Sequence, residues 1–241
     1  MPTLSVVIPT MNEEQYLPRL FAAIKRQTLQ PDEIVVADAG STDSTRKIAE
    51  AFGAKVVQGG LPGPGRNAGA QASTGELICF LDADVIIADE NFLHHAVAEF
   101  EERRLDLASA DVLLINSPSY LEIFGHKVYN FYVRLLGRFH PHMIGSFMLV
   151  RRSLHNKING FDPSVIFCED HDYGLRGNKV GKFSILNSVI INVTDRRFRR
   201  DGALNVGIKY IIAELHIVFL GPIRHNYFSY EFGYPRSGNK K

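Results

Sequence analysis

Three short apolar runs rich in β-branched residues, Leu4 to Ile8, Glu33 to Ala37 and Leu77 to Leu81, are nearly continuous, and each leads through a polar turn into helix-length sequence. Strands that are apolar on both faces must be buried on both faces. That condition predicts an α/β fold in three layers, a mostly parallel central sheet with helices above and below it. The first helix is predicted over Glu13 to Gln27, with Leu17, Leu20, Phe21 and Ile24 on one face, and Thr10 or Asn12 as its cap. A second is predicted over Asp43 to Phe52, capped by Ser41 or Thr42, with Asp43 as a first-turn acid. Residues 61–75 read as a Gly/Pro-rich loop entering a small-residue helix. A helix near 90–103, strands near 106–115 and 145–151, and an aromatic helix from Tyr120 to Phe139 continue the alternation.

The 241 residues, 45% hydrophobic and 22% charged, have ordinary globular composition, which excludes disorder, collagen and coiled coil. With no repeat or linker, a single domain over 1–241 is expected, with a frayed tail beyond Gly233. Cys79 and Cys168 cannot form a disulfide framework, and MPTLSVVIPT has neither a basic n-region nor a long apolar run, so a cytoplasmic setting is expected. The net charge of +1 conceals an asymmetry: residues 1–119 carry 9 Lys/Arg against 17 Asp/Glu, and residues 120–241 carry 18 against 9. The acidic half suits a cation site. The basic half suits phosphate or an anionic membrane surface.

Five positions could carry chemistry. The turn Pro9-Thr10-Met11-Asn12-Glu13-Glu14 follows the first strand, where open α/β sheets bind ligands; it lacks G-x-G-x-x-G, and the same residues also suit a helix start. Asp38 ends the second strand and could accept a hydrogen bond from a nucleobase or ribose, or simply make a turn. Asp82 and Asp84 end the third run one residue apart, so alternation would point both carboxylates to one side, where a hard cation such as Mg²⁺ or Mn²⁺ would relieve their repulsion. Arg66 and Asn67, within a glycine-flanked segment, could approach phosphates or a ribose. The cluster Cys168-Glu169-Asp170-His171-Asp172 suits a helix N-terminus, or a carboxylate made basic by its neighbours.

Taken in order, VVIPTMNEE, VVADAGSTDST, GRNAGA, FLDADV, RRSLHNKINGFDPS and CEDHDYGLR resemble glycosyltransferase family 2, inverting nucleotide-sugar enzymes of the Rossmann-like GT-A fold, over about residues 3–185. The resemblance implies a nucleotide site of Pro9, Thr10, Asn12, Glu13, Asp38, Arg66, Asn67 and Asp82. It also implies a divalent metal on Asp82 and Asp84, with Asp84 the direct ligand, Asp170 as catalytic base, and acceptor contacts near Gly145 and Glu169. On this reading 1–119 is the nucleotide-sugar half, 120–195 the acceptor and catalytic half, and 196–241 a C-terminal amphipathic extension. The implied partners are a nucleotide-sugar donor, with a UDP-sugar preferred, and a saccharide or lipid-linked acceptor, with no nucleic acid.

Three departures matter. Met11 stands where the family often has an aromatic residue. The Q-x-x-R-W signature of processive synthases is absent, and the chain has no Trp, which favours transfer of one sugar. Beyond Asp195 the pattern fades. Polyprenyl-phosphate glycosyl transfer is the alternative within enzymes; a sugar nucleotidyltransferase would need a G-x-G-T-R-type loop after the first strand. A non-catalytic nucleotide-sugar-binding scaffold would be expected to have lost Asp82, Asp84 or Asp170, and all three are present.

Two stretches bear on location. Tyr120 to Phe139 sets Phe124, Tyr129, Phe131 and Tyr132 among Lys127, Arg134 and Arg138, an interfacial composition. Arg196, Arg197, Arg199 and Arg200 precede an amphipathic run with Leu204, Ile208, Ile211, Leu215 and Val218 on one face, which suits either peripheral membrane contact or packing. Lys209, Glu214 and His216 interrupt that run, so a membrane span is not expected. His126, His140, His142 and His216 lack metal-ligand spacing and read as surface or packing residues.

Overall fold

The computed structural model describes residues 1–115, 120–137, 140–194 and 196–225. Arg138, Phe139, Asp195 and the tail beyond Gly233 fall outside these, as do the side chains of Tyr120, His126 and Arg197. The chain runs β1 (Leu4–Thr10), α1 (Leu17–Lys25), β2 (Glu33–Asp38), α2 (Thr45–Phe52), β3 (Lys55–Gln58), α3 (Pro62–Ala72), β4 (Leu77–Leu81) and α4 (Phe92–Glu102). It continues through β5 (Leu107–Ile115), α5 (Tyr120–Leu136), β6 (Phe147–Arg151), α6 (Arg152–Lys157), α7 (Glu169–Asn178), β7 (Phe183–Thr194), α8 (Arg196–Asp201) and α9 (Ala203–Leu220).

The sheet order is β3-β2-β1-β4-β6-β5-β7. Its pairings are parallel except those of β6, which runs antiparallel to both β4 and β5. Alternation along each central strand divides the core between two faces. Leu4, Val6, Ile8, Cys79 and Leu81 pack with α1, α2 and α4, while Val7, Val35, Ile78 and Phe80 meet α3, α6 and α7. Gly69 explains the small residues of α3: a Cβ there would overlap Val7 Cγ1 of β1. The predicted three-layer α/β architecture is therefore the observed one.

The helix starts differ from expectation. α1 begins at Leu17, and neither Thr10 nor Asn12 caps it. Asn12 instead has a left-handed φ of 58° and accepts a hydrogen bond from the Thr42 N–H at 2.9 Å. The Ser41 hydroxyl accepts from the Asn12 N–H at 2.8 Å, so the turns after β1 and β2 are tied together, and Ser41 and Thr42 are not available to cap α2. Asp43 satisfies that end of α2 by accepting from the Thr45 N–H at 2.9 Å.

α5 is held against β5 by Asn130, whose amide bonds both the N–H and the carbonyl of Val112, and by Arg134, which reaches Asp111 and the Leu186 carbonyl. α9 turns Val206, Ala213 and Ile217 inward, but Leu204, Ile208, Ile211, Leu215 and Val218 are exposed. Among the described residues no helix is long and apolar enough to cross a membrane.

Candidate active site

The carboxyl ends of β1, β2 and β4 converge with the start of α7. Asp38, the last residue of β2, is fully buried. Its carboxylate accepts from the hydroxyls of Thr10 and Ser41, from the N–H groups of Gly40 and Ser41, and from Arg46 at 3.3 Å. Burial alone would raise its pKa, yet the Ser41 and Thr10 bonds hold it below the usual carboxylate value. Both oxygens expected to meet a nucleoside are thus engaged by their own loop, and Asp38 shapes the turn that Pro9 and Thr10 enter. Asn67 is likewise occupied: its amide donates to the Phe161 carbonyl and accepts from the Phe161 N–H, each at 2.8 Å, which docks α3 on the loop before α7.

Arg66 is the hub. Only 3% exposed, its guanidinium bonds Glu169 Oε1 at 2.6 Å, Asp82 Oδ1 at 2.9 Å and the Gly145 carbonyl at 3.2 Å, and it lies 5.6 Å over the Phe161 ring. The guanidinium thus engages three acceptors of the chain itself. Burial would loosen its proton, but Asp82, Glu169 and Asp170 more than compensate and hold it firmly charged.

The acids after β4 depart from the expected geometry. The strand stops at Leu81, and Asp82 and Asp84 lie in the turn beyond it, so strand alternation does not govern them. Each faces a different arginine: Asp82 faces Arg66, and Asp84 Oδ2 lies 3.0 Å from Arg196 Nη2. Burial, with the charge of Asp84 adding to it, lifts the Asp82 carboxyl to about 7 against the pull of Arg66. A residual acid load of this kind, in a pair of hard oxygen donors, fits a divalent cation such as Mg²⁺ or Mn²⁺.

Arg196, at the start of α8, belongs to the run of arginines for which the sequence leaves membrane contact and packing both open. It points inward: besides Asp84 it pairs with Glu13 at 3.1 Å and stacks 4.4 Å over Tyr16. Burial raises the Glu13 carboxyl despite this guanidinium. The signal available was four arginines at the close of a strand, next to an acidic half that needed counter-charge.

Glu169 and Asp170 open α7. Cys168 before them adopts a left-handed φ of 57°, a conformation costing a non-glycine residue about 1–2 kcal/mol, and this bend turns the two acids toward Arg66. Among the described residues, Asp170 accepts hydrogen bonds from the backbone N–H groups of Gly145 at 2.8 Å and His171 at 2.9 Å. Gly145 must be small, since a Cβ would stand 2.9 Å from Arg66 Nη2 and 3.1 Å from Asp170 Oδ2. Burial raises both carboxyls, and the Asp170 charge raises Glu169 further. Glu169 is tied to the Arg66 guanidinium, whereas the hydrogen bonds described for Asp170 come from backbone N–H groups.

Residues 5–158 match the family described as Glycosyl transferase family 2. The O-antigen chain rhamnosyltransferase RfbN of Salmonella typhimurium is 28% identical over 185 residues, 69% of this chain and 58% of that protein. The chain thus spans less than two thirds of the length of such curated relatives. A glucosyl-3-phosphoglycerate synthase of Mycolicibacterium smegmatis is 34% identical over 45% of this chain and 44% of its own length. Among solved structures, S. aureus TarS 1-349 in complex with UDP superposes with a TM-score of 0.66 at 22% identity, covering 90% of this chain and 72% of that one. The Mycobacterium tuberculosis glucosyl-3-phosphoglycerate synthase with Mn²⁺, UDP and glucosyl-3-phosphoglycerate gives 0.63 at 21% identity, over 89% of this chain and 79% of that one. With the family matched over residues 5–158, a span that holds both acids after β4, this chain belongs to glycosyl transferase family 2.

Proposed function

We propose that the protein transfers one sugar from a metal-bound nucleotide sugar to an acceptor hydroxyl, with inversion at the anomeric carbon. The observation that carries this reading is the Arg66 hub, which joins the metal-side acid Asp82 to Glu169 and, through Gly145, to Asp170. The donor would enter over the joined turns after β1 and β2, with Pro9, Thr10, Asn12, Glu13 and Asp38 forming the nucleoside wall. A UDP-sugar is the preferred donor, in keeping with the UDP complexes of the two structural relatives.

A divalent metal held by Asp84 and Asp82 would neutralise charge developing on the departing diphosphate. Asp170 would receive the acceptor's proton as its oxygen attacks the sugar from the face opposite the leaving group. Arg66 would hold Glu169 and Asp82 fixed on either side of the base.

The exposed side chains Phe124 and Phe131 of α5, with Leu204, Ile211 and Phe219 of α9, support peripheral contact with a membrane that carries a lipid-linked acceptor. Proton NMR of the first-formed product, with acceptors offered free in solution or in anionic vesicles, tests this reading. An α-linked donor should yield a β-linked product, with faster turnover on vesicles. A retained anomer would overturn the mechanism, and equal rates in the two formats would overturn the membrane contact.

A further inference from the structure

Outside the acid cluster, one group of side chains is assembled from parts of the chain far apart in sequence. His140 and His142 lie in the segment before β6, His171 in the first turn of α7, and Glu214 in the middle of α9. His142 Nε2 stands 3.0 Å from Glu214 Oε1, His140 Nδ1 lies 3.5 Å from the same oxygen, and His171 Nδ1 is 3.7 Å from Oε2. The His142 ring centroid is 5.0 Å from that of His140 and 4.7 Å from that of His171. Tyr132 donates to Glu214 Oε1 at 3.1 Å.

The three nitrogens facing the carboxylate are buried and none makes an aligned hydrogen bond. His142 is the telling case. It is 1% exposed, and its Nδ1 lies 2.8 Å from the His140 carbonyl, which can only accept. Nδ1 therefore carries the hydrogen, and in a neutral ring the Nε2 lone pair is directed at a carboxylate oxygen. Two acceptors 3.0 Å apart need a positive charge between them. A backbone carbonyl that fixes one ring nitrogen and presents the other is the usual outer-shell arrangement of a metal-bound histidine.

We propose that His140, His142 and Glu214 are ligands of a structural zinc-type divalent ion, with His171 completing the shell. In a tetrahedral zinc site with bonds of about 2.0–2.1 Å, ligand atoms lie roughly 3.3 Å apart, and the potential ligand atoms of His140, His142 and Glu214 already lie within 4.8 Å of one another. Nitrogen-rich donors separate this site chemically from the all-oxygen pair Asp82 and Asp84. Its consequence is mechanical. The ion would fasten α9, whose Leu204, Ile211 and Phe219 are exposed, to the residue that follows Asp170, the position of the proposed base.

The test uses untagged, chelator-stripped protein carrying Asp84→Asn, which removes the competing acid, and titrates Zn²⁺ alone by calorimetry, with Co²⁺ as the spectroscopic probe. One equivalent should bind at submicromolar concentration, and Co²⁺ should give the intense visible bands of a tetrahedral site. Adding His142→Ala or the milder Glu214→Gln should each weaken zinc binding by about 10²-fold or more, beyond the loss typical of an outer-shell partner. Both variants should keep the circular dichroism of the parent. Absence of stoichiometric zinc binding in the parent would overturn the assignment. Retention of parental affinity in both variants would overturn it equally.

Discussion

Asp170→Asn is expected to lower kcat on a hydroxyl acceptor by about 10²-fold or more while leaving donor binding nearly intact, because general-base assistance contributes that much. The amide keeps the shape but has a single acceptor oxygen, so it retains one of the two bonds that the separate carboxylate oxygens take from the Gly145 and His171 N–H groups, and circular dichroism of the variant checks that the loop holds. What it loses is the affinity for a proton that burial has raised. Glu169→Gln is the informative control. It weakens a contact to Arg66 without removing a free acceptor, and should cost less in kcat. Steady-state kinetics of the two variants on one verified acceptor decide the matter. If Glu169→Gln loses the rate and Asp170→Asn keeps it, the base is one residue earlier. A phosphate acceptor is already ionised, so on such a substrate the cost of Asp170→Asn should largely vanish.

Arg66→Met should be the most destabilising substitution at the site. The methionine can fill much of the space over Phe161, but Asp82, Glu169 and Asp170 are left without their shared cation. Removing one partner of a buried ionic cluster typically costs about 3–5 kcal/mol. The loss should depend on pH in a definite direction. These carboxyls already have raised pKa values in the folded protein, and without Arg66 they rise further. For an acid with a raised folded pKa, the penalty is absent below the unfolded pKa, near 4, and grows as pH climbs toward the folded value. Urea unfolding should therefore show the deficit of Arg66→Met at its largest near pH 8 and much reduced near pH 4.5. A deficit independent of pH would mean that lost packing, rather than uncompensated charge, is the cause.

Much of the scaffold was legible in the residues because the central strands are apolar on both faces. Leu77 to Leu81 was bounded as observed, and β1 and β2 differ only in running on to Thr10 and Asp38. β3 was not anticipated: it is a four-residue edge strand, Lys55 to Gln58, with no fully buried residue and hence no apolar run to mark it. β7 escaped because its pairing with β5 shifts register between Ala110 and Asp111, which breaks any simple alternation. The candidate site is visible in the sequence where acids share one turn, as Asp82 with Asp84 and Glu169 with Asp170. It was hidden where partners meet from distant parts of the chain. Arg196 reaches Glu13 across 183 residues of sequence, and His140 and His142 acquire their meaning only when α9 brings Glu214 beside them.

The most direct measurement is a calorimetric titration of UDP, GDP and dTDP into the protein, with Mg²⁺ or Mn²⁺ and with excess chelator, for the wild type and Asp84→Asn. At least one nucleoside diphosphate, UDP by preference, should bind only when the metal is present. Asp84→Asn, which keeps the shape but loses the charge that balances the cation, should abolish that binding while the fold survives. Because the Asp82 carboxyl lies near 7 and must ionise to accept the metal, affinity should fall by about tenfold per unit as pH drops below 7, with a proton released on binding. Binding indifferent to metal, or unaltered in Asp84→Asn, would contradict the account, as would a failure of all three nucleotides to bind.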